Sequence, residues 1–363
     1  MRGPAALLLL GLSGCYMAPP GIEPAQIAGY ERLEQGRIRL HWVKGNLDRA
    51  DVEPLLADLT SVAQEVSARF GCAPPPASVV VWKPPGVAGA GSERVLTTHG
   101  ALLPGGRVVF RCAWDPGDPG GLYPLLGTCA HELAEAAVLT RVTAIDPYLR
   151  WFHDGLAELA EHEVLVAHDP AHARAELERD LRFLAEQRER GVTRIDLTRW
   201  RQLSPWIVRS FRFLDEPGNL SLLDLPASRQ RVRSALERVG SAQLRRRGLL
   251  ELVEVLENAS AVAARPFEPD EARPDDAEAR DLLFYISSMA VWLHLERRSP
   301  GTARRAVAEL ERRRWVEEDH VFRAAEALDL VGVAAPGVDP LPLRDLPLET
   351  VERVLADELQ RLM

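Results

Sequence analysis

Apolar and polar residues alternate in part along Arg37-Ile38-Arg39-Leu40-His41-Trp42-Val43, the pattern of a strand with one buried face. From residue 51 to 70 the apolar positions recur at helical spacing, and the run stops before Gly71, which suits a helix end. Ser78-Val79-Val80-Val81-Trp82 is a short β-branched run bounded by prolines and predicts a buried strand. Arg107-Val108-Val109-Phe110-Arg111-Cys112 predicts another, entered from the turn Pro104-Gly105-Gly106. Helices follow over residues 122–140 and from Pro147 to about residue 168. Residues 171–190 are strongly charged with a narrow apolar stripe, and 228–257 and 281–298 are amphipathic, so all three predict helices. Residues 265–281, rich in Pro, Asp and Glu, predict an exposed loop, and 336–347 a proline-rich connector before a short helix over 349–362. The fold class is α+β, with a mostly helical C-terminal region.

The N-terminus changes the expected compartment. Met1-Arg2 is a minimal positive region, and residues 5–12 are apolar but too short to span a bilayer. Leu12-Ser13-Gly14-Cys15 follows and resembles a bacterial lipobox, in which the chain is cut before the cysteine and the cysteine is acylated. Several acyl chains anchor stably, at about 0.8 kcal/mol per buried methylene. Residues 1–14 are then a lipoprotein signal peptide, and 15–29, with three prolines and two glycines, a tether. Tyr16 after the cysteine leans toward the outer membrane, by resemblance to the enteric sorting rule, and implies a cell-envelope protein facing periplasm or exterior.

The candidate chemistry lies in the two central helices. Residues 131–135 read His-Glu-Leu-Ala-Glu, and Trp151-Phe152-His153-Asp154-Gly155-Leu156-Ala157-Glu158 begins 20 residues after the histidine. Positions four apart share a helix face, so His131 and Glu135 can point at one object, and Glu132 can reach a water held by it. A catalytic zinc takes three protein ligands and keeps a position open for water. These two segments resemble the active site of the gluzincin metallopeptidases, the thermolysin and aminopeptidase-N-like clan. That clan carries H-E-x-x-H on one helix and a glutamate within W-x-x-E-G-x-A on the next. The frame is kept, but Glu135 stands in place of the second histidine and Asp154 in place of the ligand glutamate.

The resemblance covers residues 30–170 and implies a small mixed sheet packed on the motif-bearing helix. It implies His131, Glu135 and Asp154 as metal ligands and Glu132 as the base. It further implies that a helical domain, residues 171–331, closes one wall of the cleft, where Tyr285 is the candidate for steadying an oxyanion; 332–363 form the connector and terminal helix. A His-Glu-Asp set brings two ligand charges where His-His-Glu brings one, which makes a bound water less acidic and favours harder metals than zinc. His153 would supply the missing imidazole only if its helix were rotated, against the register of Trp151, Asp154, Gly155 and Ala157.

Cys72, Cys112 and Cys129 remain after Cys15 is set aside. An exported protein allows one disulfide, and the Cys72–Cys112 pair is the preferred one of three; Cys129 reads as buried structure. His162, His168 and His172 read as surface histidines. The net charge of −9 argues against nucleic acid. Lys44 and Lys83 are the only lysines, so Arg245-Arg246-Arg247 and Arg312-Arg313-Arg314 read as solvated helix faces in an arginine-biased composition. No phosphate loop or G-x-S-x-G elbow is present. The expected function is that of a surface lipoprotein with a metallopeptidase-like domain and an altered site that holds zinc, another divalent metal or none. If active it is a metal-dependent peptidase, weakened by the altered ligands. The alternative is a non-catalytic lipoprotein that binds a peptide or an envelope protein, or scaffolds an assembly.

Overall fold

The computed structural model describes residues 30–43, 45, 47–73, 76–82, 99–103, 107–117, 121–142, 145–200, 274–313, 320 and 322–363. The signal and tether with Cys15, the 104–106 turn, the 228–257 helix, Arg245-Arg246-Arg247 and Arg314 lie outside these residues.

Strands β1 (Tyr30–Gln35) and β2 (Ile38–Val43) form an antiparallel hairpin, turned at Gly36 with φ 60°. Helix α1 (Arg49–Phe70) carries the chain to β3 (Ala77–Trp82), which lies parallel to β2. β4 (His99–Leu103) and β5 (Arg107–Ala113) are antiparallel to each other, and β5 is parallel to β3. The order β1-β2-β3-β5-β4 makes a five-stranded mixed sheet. Val79, Val80 and Val81 are all buried, so β3 is covered on both faces, which is why it reads as a continuous apolar run. β1 and β4 were not expected from the sequence. β1 reads Tyr-Glu-Arg-Leu-Glu-Gln, and only Leu33 among its described side chains packs on the core.

Helix α1 buries Val52, Leu55, Leu56, Leu59, Val62, Ala63, Val66 and Phe70, the spacing of a single apolar face. Gly71 ends it in the left-handed region at φ 67°, and the Cys72 N–H closes onto the Ser67 carbonyl at 3.1 Å. Helix α2 (Leu122–Leu139) and helix α3 (Arg150–His168) pack closely on each other at the centre of the molecule. α3 is preceded by a 3-10 turn, Pro147–Leu149, in which the Tyr148 N–H is capped by the Asp146 side chain. Helix α4 (Pro170–Glu189) follows at once, capped by Asp169, which accepts from Ala171 and His172 N–H at 3.0 Å.

After the two-residue strand β6 (Arg194–Ile195) and the 3-10 turn Leu197–Arg199, the description resumes at α5 (Pro274–Arg298). α5 starts earlier than expected. Residues 274–281, predicted as loop, are its first two turns, because Pro274 is acceptable at a helix start and the following acids favour the positive end of the helix dipole. α6 (Thr302–Arg313) and α7 (Ala324–Ala334) follow, then β7 (Leu346–Pro347) paired with β6, and α8 (Leu348–Arg361). One continuous cluster of buried residues runs from Ile38 on β2 to Leu355 on α8. Trp151, Phe152, Trp292 and Phe322 meet edge to face inside it, with ring centroids 5.4–5.7 Å apart.

Several smaller expectations change. Cys72 and Cys129 are free thiols, so Cys72 is not bridged to Cys112. Cys129 is wholly buried, as expected, and burial raises its thiol pKa strongly. His162 is not a surface histidine: it is 5% exposed and lies 3.0 Å from Glu358 on α8. His168 and His172 are half-buried beside Glu65 and Glu176. Arg312 is solvated, but Arg313 is largely enclosed between Glu309 and Asp329, at 2.6 Å from each.

Candidate metal centre

Helix α2 is buried almost all round. Leu125, Leu126, Cys129, Ala130, Leu133, Ala134, Ala136, Ala137, Val138 and Leu139 are all in the core. His131, Glu132 and Glu135 are the buried polar residues of this stretch, and they are 6%, 5% and 3% exposed. Acidic groups are almost never buried this deeply unless paired or ligating, so these three positions need a chemical reason. α3 presents a matching row, since Arg150, His153 and Asp154 are buried and the last two face α2.

Two short distances bring the helices together chemically. His153 Nδ1 lies 2.9 Å from Glu135 Oε1 and 3.5 Å from Asp154 Oδ2. Arg150, one turn before Asp154, places Nε 2.9 Å from the same Oδ2. The other oxygen, Asp154 Oδ1, is buried with no hydrogen-bond partner among the described residues. It faces His131 Nε2 at 3.7 Å. His131, Glu135 and Asp154 each offer one ligand atom, and the three atoms lie within 4.8 Å of one another, so this buried group can hold a metal ion.

The His131 ring is oriented from its far side. Nδ1 lies 3.1 Å from Glu158 and 3.3 Å from Glu161, both one or two turns beyond Asp154 on α3. Beside two carboxylates, at least one of them ionised, Nδ1 is placed to donate a proton. Nε2 then turns toward Asp154 Oδ1 a lone pair if the ring is neutral and an N–H if it is charged. A hydrogen bond would need a shorter separation than 3.7 Å. Two ligands of one tetrahedral zinc, each at about 2.1 Å, stand roughly 3.4 Å apart. The spacing and the donor set therefore fit a cation placed between them.

Burial and neighbouring charge separate the carboxyl groups of the site. Burial opposes ionisation of Asp154, but Arg150 first and the two histidines after it outweigh this and hold its pKa at about 2. Glu132 has no such compensation. Burial, then the charge of Glu135, pushes its pKa well above the ordinary value, with His131 pulling the other way. Glu158, at the rim, is raised to about 7, by burial first; the hydrogen bond with His131 opposes this and Glu161 adds to it. Asp180 on α4 is also raised to about 7, chiefly by burial, with Arg179 opposing.

His131, Glu135 and Asp154 are brought together, and Glu132 is buried next to them in the chain. Tyr285, on α5, has its ring centroid 6.3 Å from that of His131, and its hydroxyl oxygen accepts from Arg150. Arg150, Glu158 and Glu161 were not expected, and His153, set aside as a ligand, lies beside Glu135 at 2.9 Å. Glu158 and Glu161 had a signal, since they lie four and seven positions after Asp154 and share its helix face. Arg150 lies one turn before Asp154 and was legible by the same rule. Gly155 has a packing reason: a Cβ there would meet Trp292 Cδ1 at 2.6 Å and Ser288 Cβ at 3.1 Å. The glycine lets α5 lie directly on α3, with Trp292 Nε1 donating to the Trp151 carbonyl at 3.3 Å.

No protein-family model and no curated protein sequence matches this chain.

Proposed function

We propose that this chain is a lipid-anchored relative of the gluzincin metallopeptidases, with a divalent metal held by His131, Glu135 and Asp154 and weak peptide hydrolysis as its activity. The observation that carries the metal site is the 3.7 Å gap between His131 Nε2 and the orphaned, buried Asp154 Oδ1. When bound, a zinc or other divalent ion would polarise a substrate carbonyl and acidify a water. Glu132 is the proton acceptor in this reading, because it is buried beside the ligand His131 on α2. Glu158 and Glu161 keep the His131 ring in the tautomer that offers Nε2, as carboxylates behind ligating histidines do. Tyr285, whose ring lies 6.3 Å from the same ring by centroids, is the candidate donor to a developing oxyanion. The lipobox-like segment ending at Cys15 supports placement at the cell envelope, where peptides or envelope proteins would be the substrates.

A second reading rests on a specific observation. The two acids that depart from the metallopeptidase pattern already have protein partners, Arg150 for Asp154 and His153 for Glu135. That arrangement suits a metal-free cleft that binds a peptide without cutting it. Titration of zinc and of manganese into the metal-stripped protein, compared with His131→Ala and Asp154→Ala, decides between them. One equivalent bound by the natural sequence and lost in both variants supports the metal site; no binding supports the non-catalytic reading.

A further inference from the structure

Arg150 is 3% exposed and makes three kinds of contact at once. Its Nε lies 2.9 Å from Asp154 Oδ2, its Nη2 donates to the Tyr285 hydroxyl, and its guanidinium carbon sits 4.6 Å over the Trp200 ring and 4.9 Å over the Tyr285 ring. Arginine has donors only, in a rigid planar fork, and keeps its charge. Asp154 Oδ2 must therefore act as acceptor toward Arg150. The Tyr285 oxygen must accept as well, which sends its own proton away from Arg150.

We propose that Arg150 is the positioning residue that turns Asp154 into a one-atom metal ligand. Occupying Oδ2 leaves Oδ1 as the atom offered beside His131 Nε2, and the guanidinium offsets one of the two negative charges that Glu135 and Asp154 bring. With Arg150 counted, the His-Glu-Asp set carries the same net charge, −1, as a two-histidine, one-glutamate set. The shorter aspartate and the extra carboxylate are thus matched by a cation one helical turn away, while His153 Nδ1 lies 2.9 Å from Glu135 Oε1. The Trp200 and Tyr285 rings, themselves edge to face at 4.8 Å, both border the guanidinium and keep the fork from swinging aside. The same residue fixes the Tyr285 hydroxyl, so the ligand and the candidate oxyanion donor are set by one side chain.

This inference rests on the proposed metal site, and its test is read from the metal's coordination rather than from turnover. Cobalt(II) replaces zinc, and the intensity of its visible bands falls as coordination number rises. Arg150→Met frees Oδ2 and lets Asp154 bind through both oxygens. The expected result is a loss of band intensity of about two-fold or more, with intensity largely restored in Arg150→Lys, which keeps a single charged donor. An Arg150→Met spectrum equal to that of the natural sequence overturns the role of Arg150 and leaves the metal site standing. Failure of the natural sequence to take up cobalt overturns the metal site and this inference with it. If Arg150→Met does not fold, X-ray absorption of cobalt-loaded Glu135→His, where Asp154 is the sole carboxylate ligand, gives the same answer. One-oxygen binding by Asp154 supports the role, and two-oxygen binding overturns it.

Discussion

His131 Nε2 and Asp154 Oδ1 face each other across 3.7 Å with no protein hydrogen bond between them. A protein core does not ordinarily leave a buried carboxylate oxygen without a partner, because the lost solvation costs about 1–3 kcal/mol or more for a charged group. The surrounding helices hold the two atoms there. α2 and α3 are locked by close packing, and His131 is held from behind by Glu158 and Glu161.

Replacing Glu135 by histidine restores the neutral ligand of the metallopeptidase pattern. Zinc affinity is expected to rise by about ten-fold or more, because imidazole suits zinc better than a carboxylate that His153 already engages. Competition against a chromogenic chelator measures it. An unchanged affinity would mean that position 135 does not reach the metal.

Glu132→Gln keeps the shape of the side chain and removes the proton acceptor. Metal content is expected to be unchanged, while hydrolysis of a peptide library falls by about 10²-fold or more. Activity surviving in this variant would remove Glu132 from the chemistry.

Much of this site was legible before any coordinates. The helical spacing of residues 131–135 and the register of Trp151, Asp154, Gly155 and Ala157 placed four of the five expected residues on two facing helices, and α2, α3 and α4 lie within a few residues of their predicted bounds. Arg150 is not legible from ligand chemistry, because a cation does not bind a metal, although its distance of four from Asp154 puts it on the same face. His162 was misread because its partner, Glu358, is 196 positions away, and nothing local marks a pairing between α3 and the last helix. β1 escaped notice because its mostly polar sequence gains order from pairing with β2 rather than from a buried face of its own.

Gly155→Ala is expected to destabilise the fold by about 1–3 kcal/mol, the usual cost of overpacking, despite alanine's better helix propensity. The added methyl would press on Trp292 and Ser288 and separate α5 from α3. Denaturant midpoints at an unchanged m-value measure this.

Glu358 is 3% exposed and is engaged by His162, Arg297 and Arg361. Burial opposes its ionisation, but these three partners outweigh it and hold its pKa far below the ordinary 4.5. A depressed folded-state pKa gives stability that is fully present above the unfolded value and is lost as pH falls below it. Glu358→Gln is expected to lower stability at neutral pH by about 2 kcal/mol, discounted because Arg297 and Arg361 are partly solvated. Unfolding curves should also show a weaker loss of stability below pH 4.5 in the variant than in the natural sequence.

Cys15→Ala tests the anchor. The variant is expected to move from the membrane to the soluble envelope fraction and to lose acyl-chain labelling, as follows from the lipobox-like residues before Cys15. Retention in the membrane fraction without labelling would point to a different attachment.

The central claim is tested most directly by anomalous diffraction from crystals of the protein equilibrated with zinc or manganese. The account predicts one peak between His131 Nε2, Asp154 Oδ1 and the Glu135 carboxylate, with Arg150 still on Asp154 Oδ2. Crystals with no peak there, and with Asp154 Oδ1 satisfied by a protein donor or by water, would contradict it.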